Sequence, residues 1–266
     1  MDLEIYQVDS FTSEPFKGNP AGVCITKNAL DESLMFAVAA EMAVSETAFL
    51  SLSDLRLRWF TPKVEVSLCG HGTLAAAHIL KEKRIVSVGD EVAFNTLSGS
   101  LLVKVEEKHI EMDFPAATID FNIPTNDQIL AHLGINSDQV ASFGIFDSKH
   151  FIEISNERQL LDLKPNFDGL KQLQGRGVVV TAKSESKNVD FTSRYFAPWV
   201  GVNEDPVTGS AHCALAVYWG QKLSQSALTG YQASERGGFV NVELLSNRRV
   251  KLIGDAVTVL KGTMQV

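Results

Sequence analysis

The chain has 266 residues, 45% of them hydrophobic, enough apolar material for two modest cores or one large one. A net charge of −8 with a pI near 5.3, and no basic cluster beyond residues 81–84, excludes nucleic acid and other polyanions as partners. No apolar run approaches the ~20 residues that span a bilayer, so no membrane partner is expected. Three cysteines, Cys24, Cys69 and Cys213, lie outside any CxxC spacing and fit free thiols. The opening MDLEIYQVDS is acidic and alternating rather than basic and then apolar, which sets the expectation of a cytoplasmic protein.

Residues 3–11 alternate like a half-buried strand, and GNPAGV at 18–23 supplies a turn into a second strand, VCIT. Residues 31–44 read as an amphipathic helix with Leu34, Val38 and Met42 on one stripe, ending at Ser45-Glu46-Thr47. A strand at 55–60 and an Ala-rich helix at 73–84 follow. Strands are expected around 92–94, 101–105 and 110–114, with Ser98-Gly99 as a hairpin turn. Residues 115–126, with two prolines, form the crossover to a second half. That half opens with a helix at 127–133, capped by Thr125 or Asn126 and stopped by Gly134. Strands near 140–146, 151–154 and 177–182 alternate with helical segments around 157–163 and 168–174. A helix at about 210–223 precedes strands at 231–234, 239–245 and 249–253. A last strand at 256–262 has no counterpart in the first half and is expected to cross back to the first sheet. This pattern predicts halves at 1–115 plus 256–266, and at 116–255.

Two stretches repeat one plan: RWFTPKVEVSLCGHGTLAAAH at 58–78 and RYFAPWVGVNEDPVTGSAHCA at 194–214. Arg58, Phe60, Pro62, Val64 and Val66 recur as Arg194, Phe196, Pro198, Val200 and Val202 at a constant offset of 136 residues. One extra residue then enters the second turn before Gly209, read as the counterpart of Gly72. Each copy runs from a Val-x-Val strand through a glycine turn into an Ala-rich helix. The first N–H groups of such a helix have no intrahelical partner, and the helix dipole adds about half a positive charge there. Gly70, Gly72 and Gly209 let an anion approach that backbone closely. Neither turn fits GxxxxGK[ST] or GxGxxG, so a nucleotide phosphate is a poor fit. Glycines can also serve only to close tight turns. Their recurrence in both halves favours paired anion sites facing each other across a cleft.

Glu46 lies at a helix-to-strand junction, where solubility does not require a carboxylate; partial desolvation is expected to raise its pKa and let it shuttle protons. His71, between glycines at a helix start, is placed to hydrogen-bond or exchange a proton near neutral pH. Asp205 occupies the equivalent turn of the second half, and Ser210 offers a hydroxyl at the helix start, although both residue types also serve as caps. Without CxxC, HxxxH or HExxH no metal is expected, and Thr-Gly-Ser-Ala is not a nucleophile elbow.

With GNPAGV, SETAFL, the 58–78 segment and DPVTGSAH in this order, the chain resembles the PhzF-like family, named for a phenazine-biosynthesis isomerase. The resemblance implies an α/β (α+β) diaminopimelate-epimerase fold, with two pseudo-symmetric domains, each a curved, mostly antiparallel sheet wrapped around a central helix. It implies a cofactor-independent isomerase in which Glu46 shuttles a proton on a small carboxylic acid, with His71 and Asp205 beside it. Asn19, Ser45, Gly70, Gly72, Thr208, Gly209 and Ser210 are then substrate contacts, and a homodimer is the implied assembly. Related racemases use two facing cysteines. Cys69 fits the first position, but Asp205 is read at the second, which disfavours a Cys69-dependent racemase. A non-catalytic anion-binding or scaffold protein on the same fold is the alternative.

Overall fold

The computed structural model describes residues 1–266. Two compact units are present: Met1–Phe114 with Lys251–Val266, and Pro115–Val250. The first contains β1 (Asp2–Ser10), β2 (Asn19–Thr26), α1 (Glu32–Met42), β3 (Glu46–Ser51), β4 (Arg56–Phe60), β5 (Glu65–Val66), α2 (Gly70–Glu82), β6 (Glu91–Thr96), β7 (Gly99–Val105) and β8 (Ile110–Pro115). The second contains α3 (Asp127–Leu133), β9 (Val140–Phe146), β10 (Lys149–Ile154), α4 (Glu157–Leu161), α5 (Phe167–Lys171), β11 (Val178–Lys183), β12 (Phe191–Ala197), β13 (Val202–Glu204), α6 (Gly209–Leu223), β14 (Ala227–Gln232) and β15 (Gly238–Leu245). Then β16 (Arg249–Gly254) leads to β17 (Ala256–Gln265).

The pairing plan is duplicated. In the first unit β1 and β2 are antiparallel, β2 and β3 parallel, β3 and β4 antiparallel, β4 and β6 parallel, and β6 and β7 antiparallel. In the second unit the same relations hold for β9–β10, β10–β11, β11–β12, β12–β14 and β14–β15. The extra strand β17 lies antiparallel to β1 from Asp2↔Gln265 to Ser10↔Ala256.

Each sheet curves around its Ala-rich helix because that helix has no polar face to show to water. Ala75, Ala76 and Ala77 are consecutive yet all fully buried, so neighbours cover α2 on every side. Along α6, Ala211, His212, Ala214, Leu215 and Ala216 are equally enclosed, and Trp219 stacks on Phe191 while its indole N–H donates to Thr181 Oγ1. Small side chains let strands approach both helices, and each enclosed Leu or Ile adds roughly 1.5–3 kcal/mol.

Several local expectations change. Residues 19–22, read as a turn, are ladder residues of β2: Asn19 opposes Ser10 and Gly22 opposes Gln7. Gly22 is required there by packing, since a Cβ would sit 2.6 Å from Thr47 Oγ1. The buried stripe of α1 is Met35, Val38 and Ala39, with Leu34 and Met42 at its margin. Val-x-Val is not one strand in either copy. Pro62 and Pro198 stop the incoming strand, Val64 and Val200 turn outward at 55% and 60% exposure, and only β5 and β13 return along β4 and β12.

What holds each return strand is the repeated arginine. Arg58 Nε and Nη2 donate to Glu65 at 2.7 Å each, and the guanidinium lies 4.8 Å from the Phe60 ring centroid. Arg194 grips Glu204 in the same fork at 2.7 and 2.9 Å, 4.9 Å from the Phe196 centroid. The Arg58-to-Arg194 offset is 136 residues, whereas Glu65 to Glu204 is 139. The second copy therefore gains three residues in the 3₁₀ turn Pro198–Val200 and Gly201, ahead of the helix.

Candidate active site

The helix starts follow the same 139-residue offset. Cys69 is the N-cap of α2 and Thr208 that of α6, so Gly70 pairs with Gly209 and His71 with Ser210. This corrects both the matching of Gly72 to Gly209 and the placing of Asp205 opposite Cys69; Thr208 holds the cap position. Gly70, His71 and Gly72 lie within the first helical turn rather than before it. Gly72 must lack a side chain because a Cβ there would lie 2.8 Å from Trp59 Cδ1 and 3.0 Å from Cys69 Sγ.

The first unit gathers Glu46, Ser45, Cys69 and His71. α1 ends with Ala43 in a left-handed cap at φ 53°, which redirects the chain so that Ser45 leads straight into β3 and Glu46 is its first residue. The parallel register sets Glu46 beside Ala21 of β2. His71 Nε2 lies 3.2 Å from Glu46 Oε2 and 3.3 Å from Ser45 Oγ, while Nδ1 is 3.5 Å from Cys69 Sγ. Ser10 Oγ donates to the His71 carbonyl at 2.8 Å, and Asn19, fully buried, opposes Ser10 in the ladder. Ser10 gave no sequence signal, because a serine ending a strand is commonplace.

Burial alone would raise the Glu46 pKa, but His71 and Ser45 outweigh it and hold the carboxyl below its ordinary value. The expected upward shift is thus reversed by a partner 25 positions away in the chain. Burial opposes charge on His71, yet the Cys69 sulfur and the Glu46 carboxylate against it keep its pKa well above the usual histidine range. Burial pushes the Cys69 thiol up, against the pull of His71. The arrangement is a carboxylate–histidine pair in which Glu46 favours charge on His71, beside the enclosed thiol of Cys69. The Glu46 side chain remains 21% exposed and His71 only 8%, so the carboxylate is the member that can meet a ligand.

The ligand atoms of Glu46, Cys69 and His71 all lie within 4.8 Å of one another, a donor set that motif spacing did not reveal. The positive end of α2 beside the set disfavours a cation there.

The second unit gathers Asp205, Thr208, Gly209 and Ser210. Thr208 Oγ1 donates to Asp205 Oδ2 at 2.5 Å instead of capping α6. Gln232, fully buried and not anticipated, clamps the loop: its amide donates to the Asp205 carbonyl at 2.5 Å and its Oε1 accepts from Thr208 N at 2.8 Å. His212 is enclosed, its Nδ1 2.9 Å from the Thr208 carbonyl, and burial lowers its pKa to about 4, so it stays neutral.

A family model described as phenazine biosynthesis-like protein matches residues 8–262. The chain belongs to the phenazine biosynthesis-like family. An uncharacterised isomerase of Halalkalibacterium halodurans is 47% identical over 266 residues, covering 99% of each chain. A crystal structure of a PhzF-family phenazine biosynthesis protein from Enterococcus faecalis is 39% identical, with a TM-score of 0.92 and full coverage of both chains. A hydroxyproline epimerase from Agrobacterium vitis, solved with bound trans-4-hydroxy-L-proline, covers 98% of this chain and 92% of its own at 10% identity and a TM-score of 0.63, a likeness of fold alone. The fold is therefore the mixed α/β, two-domain epimerase architecture. No helix is long and apolar enough to cross a membrane.

Proposed function

We propose that this protein is a cofactor-independent isomerase of a small carboxylic acid, with Glu46 as its proton carrier. The observation that carries the reading is the 3.2 Å pair between partly exposed Glu46 and enclosed His71 at the start of α2. The isomerase name of the 47%-identical relative supports the same class. In this mechanism the Glu46 carboxylate takes a proton from a substrate carbon. The released electron pair spreads toward the substrate carboxylate as enolate-like charge, and the protonated Glu46 then delivers its proton to a different carbon. His71 holds the carboxylate in place and, when protonated, stabilises the negative charge that develops on the substrate. An arriving substrate carboxylate is a like charge to Glu46 and raises its pKa toward that of a reversible acid–base. In the first unit Asn19, Ser45, Gly70 and Gly72 are proposed to line the Glu46–His71 site; in the second, Gly209 and Ser210 are proposed to offer donors to an anionic group, with Asp205 and Thr208 holding their loop in shape.

The test is a panel of small unsaturated carboxylic acids incubated with protein in deuterium oxide and followed by proton NMR. The expected result is double-bond migration, or deuterium incorporation at the carbon losing its proton, that slows about 10²-fold or more in Glu46→Gln with binding retained. A fully active Glu46→Gln variant would remove Glu46 as the proton carrier, and binding of the acids without turnover of any of them in wild type would leave an anion-binding protein.

A further inference from the structure

We propose that Lys149 is a positioning residue for a carboxylate site at the start of α6: its ammonium holds the Ser210 oxygen, leaving the Ser210 hydrogen free to donate to the anion. This rests on the small-carboxylate reading above and assigns a residue that the sequence motifs did not touch.

Lys149 is the first residue of β10, fixed by a two-residue hairpin whose members, Asp147 and Ser148, both have positive φ, 44° and 62°. The residue is only 8% exposed. Nζ lies 3.3 Å from Ser210 Oγ and 5.3 Å from the Phe146 ring centroid, and no carboxylate comes within the 4.0 Å of an ion pair. An ammonium has three donors, so one long hydrogen bond and a ring face leave a buried charge under-satisfied. Burial accordingly lowers its pKa; Asp147 and Cys213 partly offset this and Arg176 adds to it.

The direction of that charge is the unusual feature. Helix N-termini attract anions, and here a cation points at one. The neighbouring groups at the helix end are committed to one another: the Asp205 carboxylate beside the cap accepts from Thr208 Oγ1, Thr208 N is taken by Gln232, and Ala211 N and His212 N turn back to the Thr208 carbonyl. Gly209 N and Ser210 N remain as first-turn donors. A cation against the positive end of a 15-residue helix costs stability in the free protein, and a bound anion converts both charges into attractions. The duplicated strand plan sets Lys149 in the place that Asn19 holds in the first unit, each opening the strand that follows the first one, β2 and β10. The contact of Lys149 with the second residue of α6 has no copy in the first unit, where the Ser10 hydroxyl meets only the His71 carbonyl.

The experiment uses the full chain labelled with ¹⁵N. The Gly209 and Ser210 amide resonances are titrated with cyclohex-1-ene-1-carboxylate, its neutral carboxamide and inorganic phosphate, in wild type, Lys149→Met, Lys149→Arg and Ser210→Ala. The expected result is a saturable shift with the carboxylate alone. Lys149→Met should weaken it on the order of 10- to 100-fold, the scale of a charge-assisted hydrogen bond, with Lys149→Arg largely restoring it and Ser210→Ala weakening it in the same direction. The unliganded Lys149→Met protein should melt at the same temperature as wild type or higher, because a buried cation without a counter-ion has been removed. Unchanged carboxylate binding in Lys149→Met, a folded state lost or strongly destabilised in that variant, or equal shifts with phosphate would each overturn the proposal. Since Glu46→Gln leaves this titration untouched, loss of the proton-carrier reading and loss of the Lys149 reading are separable.

Discussion

Replacing Glu46 by glutamine removes the charge opposite His71 while keeping its shape, and the effect on stability has a pH dependence whose sign follows from the site. The folded pKa of Glu46 is depressed and that of His71 raised. The depressed carboxylate adds stability above its unfolded value, about 4.3, and loses it as pH falls through the folded value. The raised imidazole adds stability in full below its unfolded value, about 6.5, and loses it as pH rises through the folded value. Both contributions are therefore complete only between about pH 4.3 and 6.5. Unit charges 3.2 Å apart attract by about 5 kcal/mol at an effective dielectric near 20. Desolvation of His71 and solvent screening at Glu46 remove most of that, leaving about 1–2 kcal/mol. Urea unfolding at about pH 5.5 should place Glu46→Gln below wild type by this amount, and the gap should narrow steadily toward pH 9. A gap independent of pH, or a variant more stable than wild type at pH 5.5, would refute the ion-pair assignment.

Gly72→Ala forces a methyl against Trp59 and Cys69, and denaturant titration should show a loss of about 1–3 kcal/mol, with Trp59 fluorescence altered. An unchanged midpoint would mean that the α2 start is looser than described. Arg58→Met strands Glu65, which is only 18% exposed, and should cost ~2–4 kcal/mol; Glu65→Gln in that background should recover part of it, and failure to do so would dissociate the pair. Cys69→Ser keeps a short polar N-cap and, under the proposed mechanism in which Glu46 carries the proton, should retain at least a tenth of the turnover found on any substrate. Native Cys69 should likewise resist iodoacetamide until the protein unfolds, as measured by mass spectrometry, because it is enclosed and its pKa is raised.

Periodicity and turn chemistry carried the sequence reading furthest where the physics is local. The hairpin after β6, whose turn is Leu97-Ser98, one residue earlier than the expected Ser98-Gly99, the Asn126 cap of α3 with Gly134 at its end, and the strand at 140–146 all depend on neighbours within a few residues. The duplication was visible because Arg58 and Arg194 do the same work in each half. Their partners Glu65 and Glu204 were not, since three inserted residues break the alignment between them. Asn19 to Gly22 looked like a turn because asparagine, proline and glycine disfavour strands, whereas close packing on Thr47 makes glycine necessary in this one. At the site, Glu46 and His71 were recognisable as residues. The sign of the Glu46 shift was not, because it depends on a contact between elements, and Lys149 and Gln232 carried no motif at all.

The shared cap register of α2 and α6 has a consequence for how this scaffold can change. Cys69 and Thr208 are twins in a duplicated gene product, each bound by the same geometric demand for a small polar side chain ahead of an Ala-rich helix. Substituting Thr208 by cysteine would therefore give both central helices a sulfur at the same station, at the expense of the hydroxyl now held by Asp205. The sulfur content of the two caps thus differs by one residue and the aspartate that restrains it, and that difference can change without rebuilding a strand.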